Sequence, residues 1–156
     1  MKVYLDVCCL NRPLDDLTQE RIKLEAEAIN MILNYCANGL LILINSDAIE
    51  FEISKNIDNF KIEQVKNILS LASIYINSNE RIKSRAKDLM KLNFKFYDAL
   101  HLAFAEVAEA DIFLTTDDRL FRRAKQHSSI IKIPVDNPVS WLINLLQLQG
   151  DNDEIK

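Results

Sequence analysis

The chain has 156 residues, a formal net charge of −4, 49% hydrophobic and 27% charged residues, and few glycines. That is enough for one domain that buries roughly two-thirds of its unfolded surface without disulfide or metal staples. The balance excludes a low-complexity or disordered chain, and it argues against a protein that coats nucleic acid through bulk positive charge.

No apolar run reaches the length of a membrane span, and the stretch from Met1 to Asp6 shows no signal-peptide pattern, so a cytoplasmic protein with no membrane partner is expected. Cys8, Cys9 and Cys36 have no metal-finger or redox spacing and read as buried thiols.

Lys2 to Leu5, aromatic and β-branched, predicts a first strand with Asp6 at its C-terminal end. Val7 to Leu17 reads as a loop, marked by Asn11-Arg12-Pro13 and Asp15-Asp16, with Thr18 as N-cap of the next helix. In that helix Ile22, Ala26, Ile29, Leu33 and Cys36 form one buried stripe, which Asn38-Gly39 terminates. Leu40 to Ile44 is a continuous apolar run suited to a strand covered on both faces.

Asn45-Ser46-Asp47 then opens a short helix over 48–54, in which Asp47 and Glu50 have capping-box spacing. At helical pitch Glu52 shares a side with Ala48 and Ile49, while Glu50 lies roughly 200° away, so Glu52 is expected to face inward.

Residues 56–59 read as a loop, and 61–72 as a helix with Ile62, Val65, Ile68, Leu69 and Ala72 inward. Ser73 to Ile76 predicts a short strand, and 79–92 a charged helix whose lysines and arginines are mostly a solvated face. From Phe94 a helix apolar around most of its circumference runs to about Ala110 and must lie in the core. Asp98 stands at its opening, either as an N-cap or as a functional acid.

Asp111 to Thr115 is the next strand, with Thr116-Asp117-Asp118 at its C-terminal end, and a basic helix follows over 119–126. Ile130 to Val135 reads as a last strand placed at an edge by Pro134. Pro138 starts a helix with Trp141, Leu142, Leu145 and Leu146 as its core stripe. Gly150 should stop it, leaving a single domain over 1–150 and a polar tail over 151–156.

Strands alternating with helices give an α/β domain with a mostly parallel sheet, in which ligands bind beyond the carboxyl ends of the strands. If the strands that carry Asp6 and Asp117 are neighbours, those two acids can share a crevice with Glu52 and Asp98. Carboxylates so crowded need compensation, and an oxygen-only donor set favours Mg²⁺ or Mn²⁺ over zinc. Such a site is suited to phosphodiester hydrolysis, because it polarises phosphorus and activates water. His101 and His127 have no partner carboxylate at motif spacing and read as core or helix-surface residues.

The stretches Met1-Lys2-Val3-Tyr4-Leu5-Asp6, Ser46 followed by Glu52, Tyr97-Asp98-Ala99-Leu100-His101-Leu102-Ala103 and Leu114-Thr115-Thr116-Asp117 resemble, in order, the motifs of PIN-domain ribonucleases, the group that includes VapC-type toxins. The resemblance implies a three-layer α/β/α sandwich around a parallel five-stranded sheet. It also implies Mg²⁺- or Mn²⁺-dependent cleavage of single-stranded RNA, frequent homodimers and, for a toxin, a small antitoxin partner.

By motif position it assigns catalytic and metal-binding acids to Asp6, Glu52, Asp98 and Asp117, with Asp117 rather than Asp118 matching the pattern. Asn11, Arg12, Thr115 and Arg119 become candidate substrate contacts, joined by Arg122 and Arg123. Where the family commonly places Thr or Ser and then Asn after the first acid, this chain has Val7 and Cys8. That departure leaves Asp6 to be oriented by another group such as Asn11, or implies weak activity.

Three rival readings are set against this one. A receiver-type domain would need a phosphorylatable Asp at the end of a middle strand, where Asn45 and Asn77 cannot serve. A haloacid-dehalogenase-like phosphatase would need Asp-x-Asp, and Cys8 takes the second acid's place. The third is a PIN fold retained for protein or RNA binding, its acids merely structural.

Overall fold

Short apolar segments separated by helices satisfy their backbone groups by pairing side by side. A computed structural model, which describes the backbone of residues 1–155 and the side chains of residues 1–151, shows them doing so in one five-stranded sheet. In chain order the elements are β1 (Lys2–Leu5), α1 (Val7–Asn11), a 3₁₀ turn (Arg12–Leu14), α2 (Glu20–Ala37), β2 (Ile42–Ser46), α3 (Asp47–Ser54), α4 (Asn59–Leu69) and β3 (Ile74–Ile76). They continue with α5 (Glu80–Met90), α6 (Phe96–Val107), β4 (Ile112–Leu114), α7 (Asp118–Gln126), β5 (Val135–Asp136) and α8 (Pro138–Ile155).

The strand order is β3-β2-β1-β4-β5, and every pair is parallel. Val3 therefore lies between Leu43 of β2 and Ile112 of β4. Helices cover both faces, giving the expected three-layer sandwich. α2 packs on α8, while α6 packs along α5 and against α3. Tyr4, Leu5, Ile44, Phe104 and Phe113 are fully or almost fully buried in one continuous core. The Tyr4 ring stacks on Phe113 with centroids 5.3 Å apart and planes 10° apart.

Several boundaries differ from the sequence expectation, each for a local reason. The loop expected over 7–17 is largely helical, because Asp6 caps α1 directly from the strand end and Cys9 and Leu10 are buried. Pro13 is the second residue of the 3₁₀ turn, where its missing N–H costs nothing. Thr18 is not the cap of α2: its N–H and hydroxyl both donate to Asp16 Oδ1, and the helix starts after Gln19.

β2 begins two residues late. Gly39, at φ +78°, turns the chain out of α2, and the N–H groups of Leu40 and Leu41 still donate to Tyr35 O at 2.9 and 3.2 Å. The cap of α3 is Ser46 rather than Asp47, so the expected capping box does not form. Glu50 instead accepts from Asn45 Nδ2 at 2.8 Å. α4 starts two residues early on an Asp58 cap and ends at Leu69, with Ile62, Ile68 and Ala72 only partly buried.

The last strand shrinks to Val135–Asp136 at the sheet edge, while Ile131 and Ile133 are buried as loop anchors. In α8 Trp141 and Leu142 are buried, Leu145 is half-buried and Leu146 is exposed. That helix passes through Gly150, so the backbone of 151–155 continues it. Lys156, the end of the expected tail, lies outside the described residues. Among the described residues no helix is long and apolar enough to cross a membrane.

Candidate active site

The chain leaves β1 toward β2 and β3 on one side and returns to β4 on the other, so the crevice between the ends of β1 and β4 is a topological switch point. Asp6 and Asp117 stand at those two ends. Asp6 N–H donates to Leu114 O at 3.0 Å, which carries the β1–β4 pairing into the site.

The Asp6 side chain is held by two firm donors and one weak one. Val7 N–H reaches Oδ1 at 2.8 Å, the Thr115 hydroxyl reaches Oδ2 at 3.0 Å, and the Cys8 thiol approaches Oδ2 at 3.4 Å. Cys8 thus stands in for the polar residue the family places there, and Asn11 makes no hydrogen bond to Asp6. Thr115 Oγ1 also accepts from Asp117 N–H at 3.1 Å. With 1% of its surface exposed, Thr115 positions both strand-end acids and cannot reach a substrate.

Asp117 caps α7, Oδ1 accepting from the N–H groups of Arg119 at 2.9 Å and Leu120 at 3.3 Å. Asp98 lies in the first turn of α6 but is not its cap: Lys95 occupies that position without a side-chain bond. No hydrogen bond or ion pair to the Asp98 carboxylate occurs among the described residues. Burial, then the negative charges of Asp6 and Asp117, push its pKa up to about 6. Burial also raises Asp6, and the charge of Glu52 acts in the same direction. Glu52 faces inward from α3, with Oε1 3.3 Å from His101 Nε2.

The four acids therefore share one electrostatic field. As placed, no three His, Cys, Asp or Glu side chains among the described residues stand close enough together to hold an ion. The donor chemistry nevertheless suits a hard divalent cation, because Asp6, Asp98 and Asp117 offer oxygens only. Among the described residues no lysine or arginine forms an ion pair with them, although Lys95 stands near enough to favour the charged form of Asp98.

Arg12 is not available for substrate: Nη1 donates to Asp15 at 3.0 Å, and Nε lies 3.2 Å from the buried Glu25 in an ion pair too bent to be a hydrogen bond. Asp118 is likewise occupied, by both terminal guanidinium nitrogens of Arg21 at 2.7 and 2.8 Å, which separates it from the site acids. Arg119 is exposed and, with Lys95, Arg122 and Arg123, lines a groove of about 400 Å³ bordered by Asp98. Arg123 also donates to Asn93 O. Asn11 lines a second groove beside Glu52.

Sequence reasoning missed the carboxylate partner of His101, since Glu52 is 49 residues away. The signal available was the position of His101 one turn beyond Asp98 on the same helix.

No protein-family model matches the chain, and no curated protein matches it. Solved structures do. VapBC-1 from nontypeable Haemophilus influenzae superposes with a TM-score of 0.55 at 16% identity, over 88% of this chain and 98% of that one. VapBC2 from Rickettsia felis, bound to a DNA fragment from its promoter, gives 0.54 at 14% over 88% and 98%. PAE2754 from Pyrobaculum aerophilum gives 0.54 at 13% over 94% and 96%. The chain has a PIN-domain, VapC-like fold. At these identities the likeness concerns the fold alone. In this fold Asp6 and Asp117 stand at the ends of β1 and β4, Thr115 and Cys8 contact Asp6, and His101 contacts Glu52.

Proposed function

We propose that the chain is a Mg²⁺- or Mn²⁺-dependent endoribonuclease that hydrolyses single-stranded RNA, and that it is the cytoplasmic toxin of a toxin–antitoxin pair. The observation that carries this reading is the set of carboxylates at the β1–β4 switch point, which no lysine or arginine pairs among the described residues, with Asp98 pushed up to about 6 by burial and by Asp6 and Asp117. Asp6, Asp98 and Asp117 are the residues that would hold the ion, with Glu52 at the rim. A bound divalent cation supplies charge stabilisation at phosphorus and a more acidic attacking water.

The protein's part is positioning. Thr115 holds Asp6 and the Asp117 backbone in one register, and Lys95, Arg119 and Arg122 offer cations for the flanking phosphates. The VapBC names of two structural neighbours support an antitoxin partner, and a homodimer accompanies this reading.

The test is cleavage of a single-stranded RNA with and without Mn²⁺. Asp98→Asn should fold and lose Mn²⁺-stimulated cleavage by about a hundredfold or more, and unchanged cleavage would remove the site. A second reading, a PIN fold kept for protein or RNA binding, is favoured by the lack of a preassembled three-ligand cluster among the described residues. It predicts that Mn²⁺ leaves the melting temperature unchanged. A catalytic site should instead gain about 2.7 kcal/mol at a hundredfold excess over Kd.

A further inference from the structure

Three fully buried polar side chains lie between the site and the core: Tyr4, Ser46 and His101, all 0% exposed. Tyr4 OH is 2.8 Å from Ser46 Oγ and 2.7 Å from His101 Nδ1, and His101 Nε2 is 3.3 Å from Glu52 Oε1. We propose that these residues form a one-way hydrogen-bond chain that positions the Glu52 carboxylate and holds His101 as the neutral tautomer protonated on Nε2.

The direction follows from the two ends. Ile49 N–H can only donate, and Ser46 Oγ receives it at 3.2 Å, which leaves the serine hydrogen for Tyr4. At the other end a carboxylate can only accept, so the hydrogen between Glu52 and His101 belongs to Nε2. A neutral imidazole protonated there has a bare Nδ1, and the Tyr4 hydroxyl fills it. Ser46, Tyr4 and His101 each then give one hydrogen bond and receive one, and burial admits no water that could substitute.

The path begins and ends on α3, running through β1 two residues before Asp6 and through α6 three residues after Asp98. It therefore ties together the three elements that carry these acids, without spending a lysine or arginine that would neutralise them. Buried polar groups of this kind are costly unless fully connected, and here the last acceptor is a carboxylate that remains 24% exposed at the crevice. Tyr4, Ser46 and His101 are positioning residues. That role rests on the reading of the preceding subsection, whereas the direction of the chain does not.

The wiring is read by long-range ¹H–¹⁵N correlation of the imidazoles at neutral pH. The chain has two histidines, so loss of one set of signals in His101→Gln assigns His101. An Nε2–H pattern in the wild type is expected; an Nδ1–H pattern or an imidazolium overturns the chain. Tyr4→Phe, which keeps the ring stacked on Phe113, should shift His101 off that single tautomer and weaken Mn²⁺ binding by about ten- to a hundredfold.

His101→Gln keeps an acceptor for Tyr4 and a donor for Glu52 but can never carry charge. It should hold Mn²⁺ affinity within about threefold of wild type, while His101→Leu loses it as Tyr4→Phe does. Unchanged Mn²⁺ affinity in Tyr4→Phe, or a loss in His101→Gln as large as in His101→Leu, overturns the positioning role. If Tyr4→Phe does not fold, the wild-type spectrum and the two His101 variants carry the test. Wild-type protein that binds no Mn²⁺ overturns the metal-dependent function and the positioning role with it, while the His101 spectrum still decides the wiring.

Discussion

Two regions of this protein bury carboxylates and treat them in opposite ways. Glu25 on α2, with 2% of its side chain exposed, lies 3.2 Å from Arg12 Nε and 3.5 Å from Arg21 Nε, and accepts from Asn137 Nδ2 at 2.7 Å. Arg21 then reaches across to Asp118. Around Asp6 and Asp98 the direct contacts are a hydroxyl, a thiol and a backbone N–H, with further carboxylates close by. Burial and those carboxylates raise both pKa values, against a smaller opposing pull from His101 and, at Asp98, Lys95. The first arrangement joins the 3₁₀ turn, α2 and the loop before α8 at the cost of having no charge left to offer. The second leaves charge uncompensated in a crevice, which is what a cation site requires.

The sharpest way to break this contrast is to remove the charge from each. Glu25→Ala strips Arg12, whose side chain is 19% exposed, of its buried partner and leaves it only Asp15, and should cost about 3 kcal/mol in chemical denaturation. A loss under about 1 kcal/mol would mean that the cluster is not a structural tie.

Asp98→Asn should move the other way. The folded protein binds this proton more tightly than the unfolded chain, since the group rises from 3.8 to about 6. Its contribution is therefore fully present at low pH and is lost as pH rises between those two values. Without added cation, Asp98→Asn should melt higher than wild type at pH 7, and the gap should close as pH falls through the same window. Equal melting temperatures at pH 7 would mean that the negative charges at the switch point do not strain one another.

The two glutamates of α3 sharpen the same comparison on a smaller scale. Glu50 is bonded to Asn45, and Glu50→Gln should cost about 1 kcal/mol while leaving Mn²⁺-stimulated cleavage intact. Glu52→Gln should leave stability nearly unchanged and abolish cleavage. Equal losses of activity would overturn the helix-face assignment of these residues.

The parts of this structure legible in the sequence are those set by period and by punctuation. The apolar runs of β1 and β4, the circumference of α6 and the Asn38-Gly39 stop each depend on residues that are near neighbours in the chain. Helical pitch also separated Glu52 from Glu50 correctly, although the partner assigned to Glu50 was wrong, because Asn45 becomes available only when β2 runs two residues further.

What was not legible depends on long-range pairing. The sequence offers Arg12 as a phosphate contact, but Glu25 lies beside it, and of the two roles open to Asp98 the N-cap falls away because Lys95 takes that position. His101 looked partnerless until α3 folded back onto α6. Each of these is a tertiary contact overriding a local signal.

The last and smallest effect concerns Cys8, which stands where the family usually has a polar residue. Thiols are weak donors, and the 3.4 Å contact to Asp6 Oδ2 duplicates the shorter one from the Thr115 hydroxyl. Cys8→Ala should therefore cost less than about 1 kcal/mol. Thr115→Val leaves both Asp6 Oδ2 and Asp117 N–H without their partner and should cost about 2 kcal/mol, with a matching loss of Mn²⁺ affinity. Melting curves and Mn²⁺ titrations of the pair separate the two donors. If Cys8→Ala loses as much affinity as Thr115→Val, the thiol orients Asp6 as much as the hydroxyl does, and the shorter contact is not the dominant one.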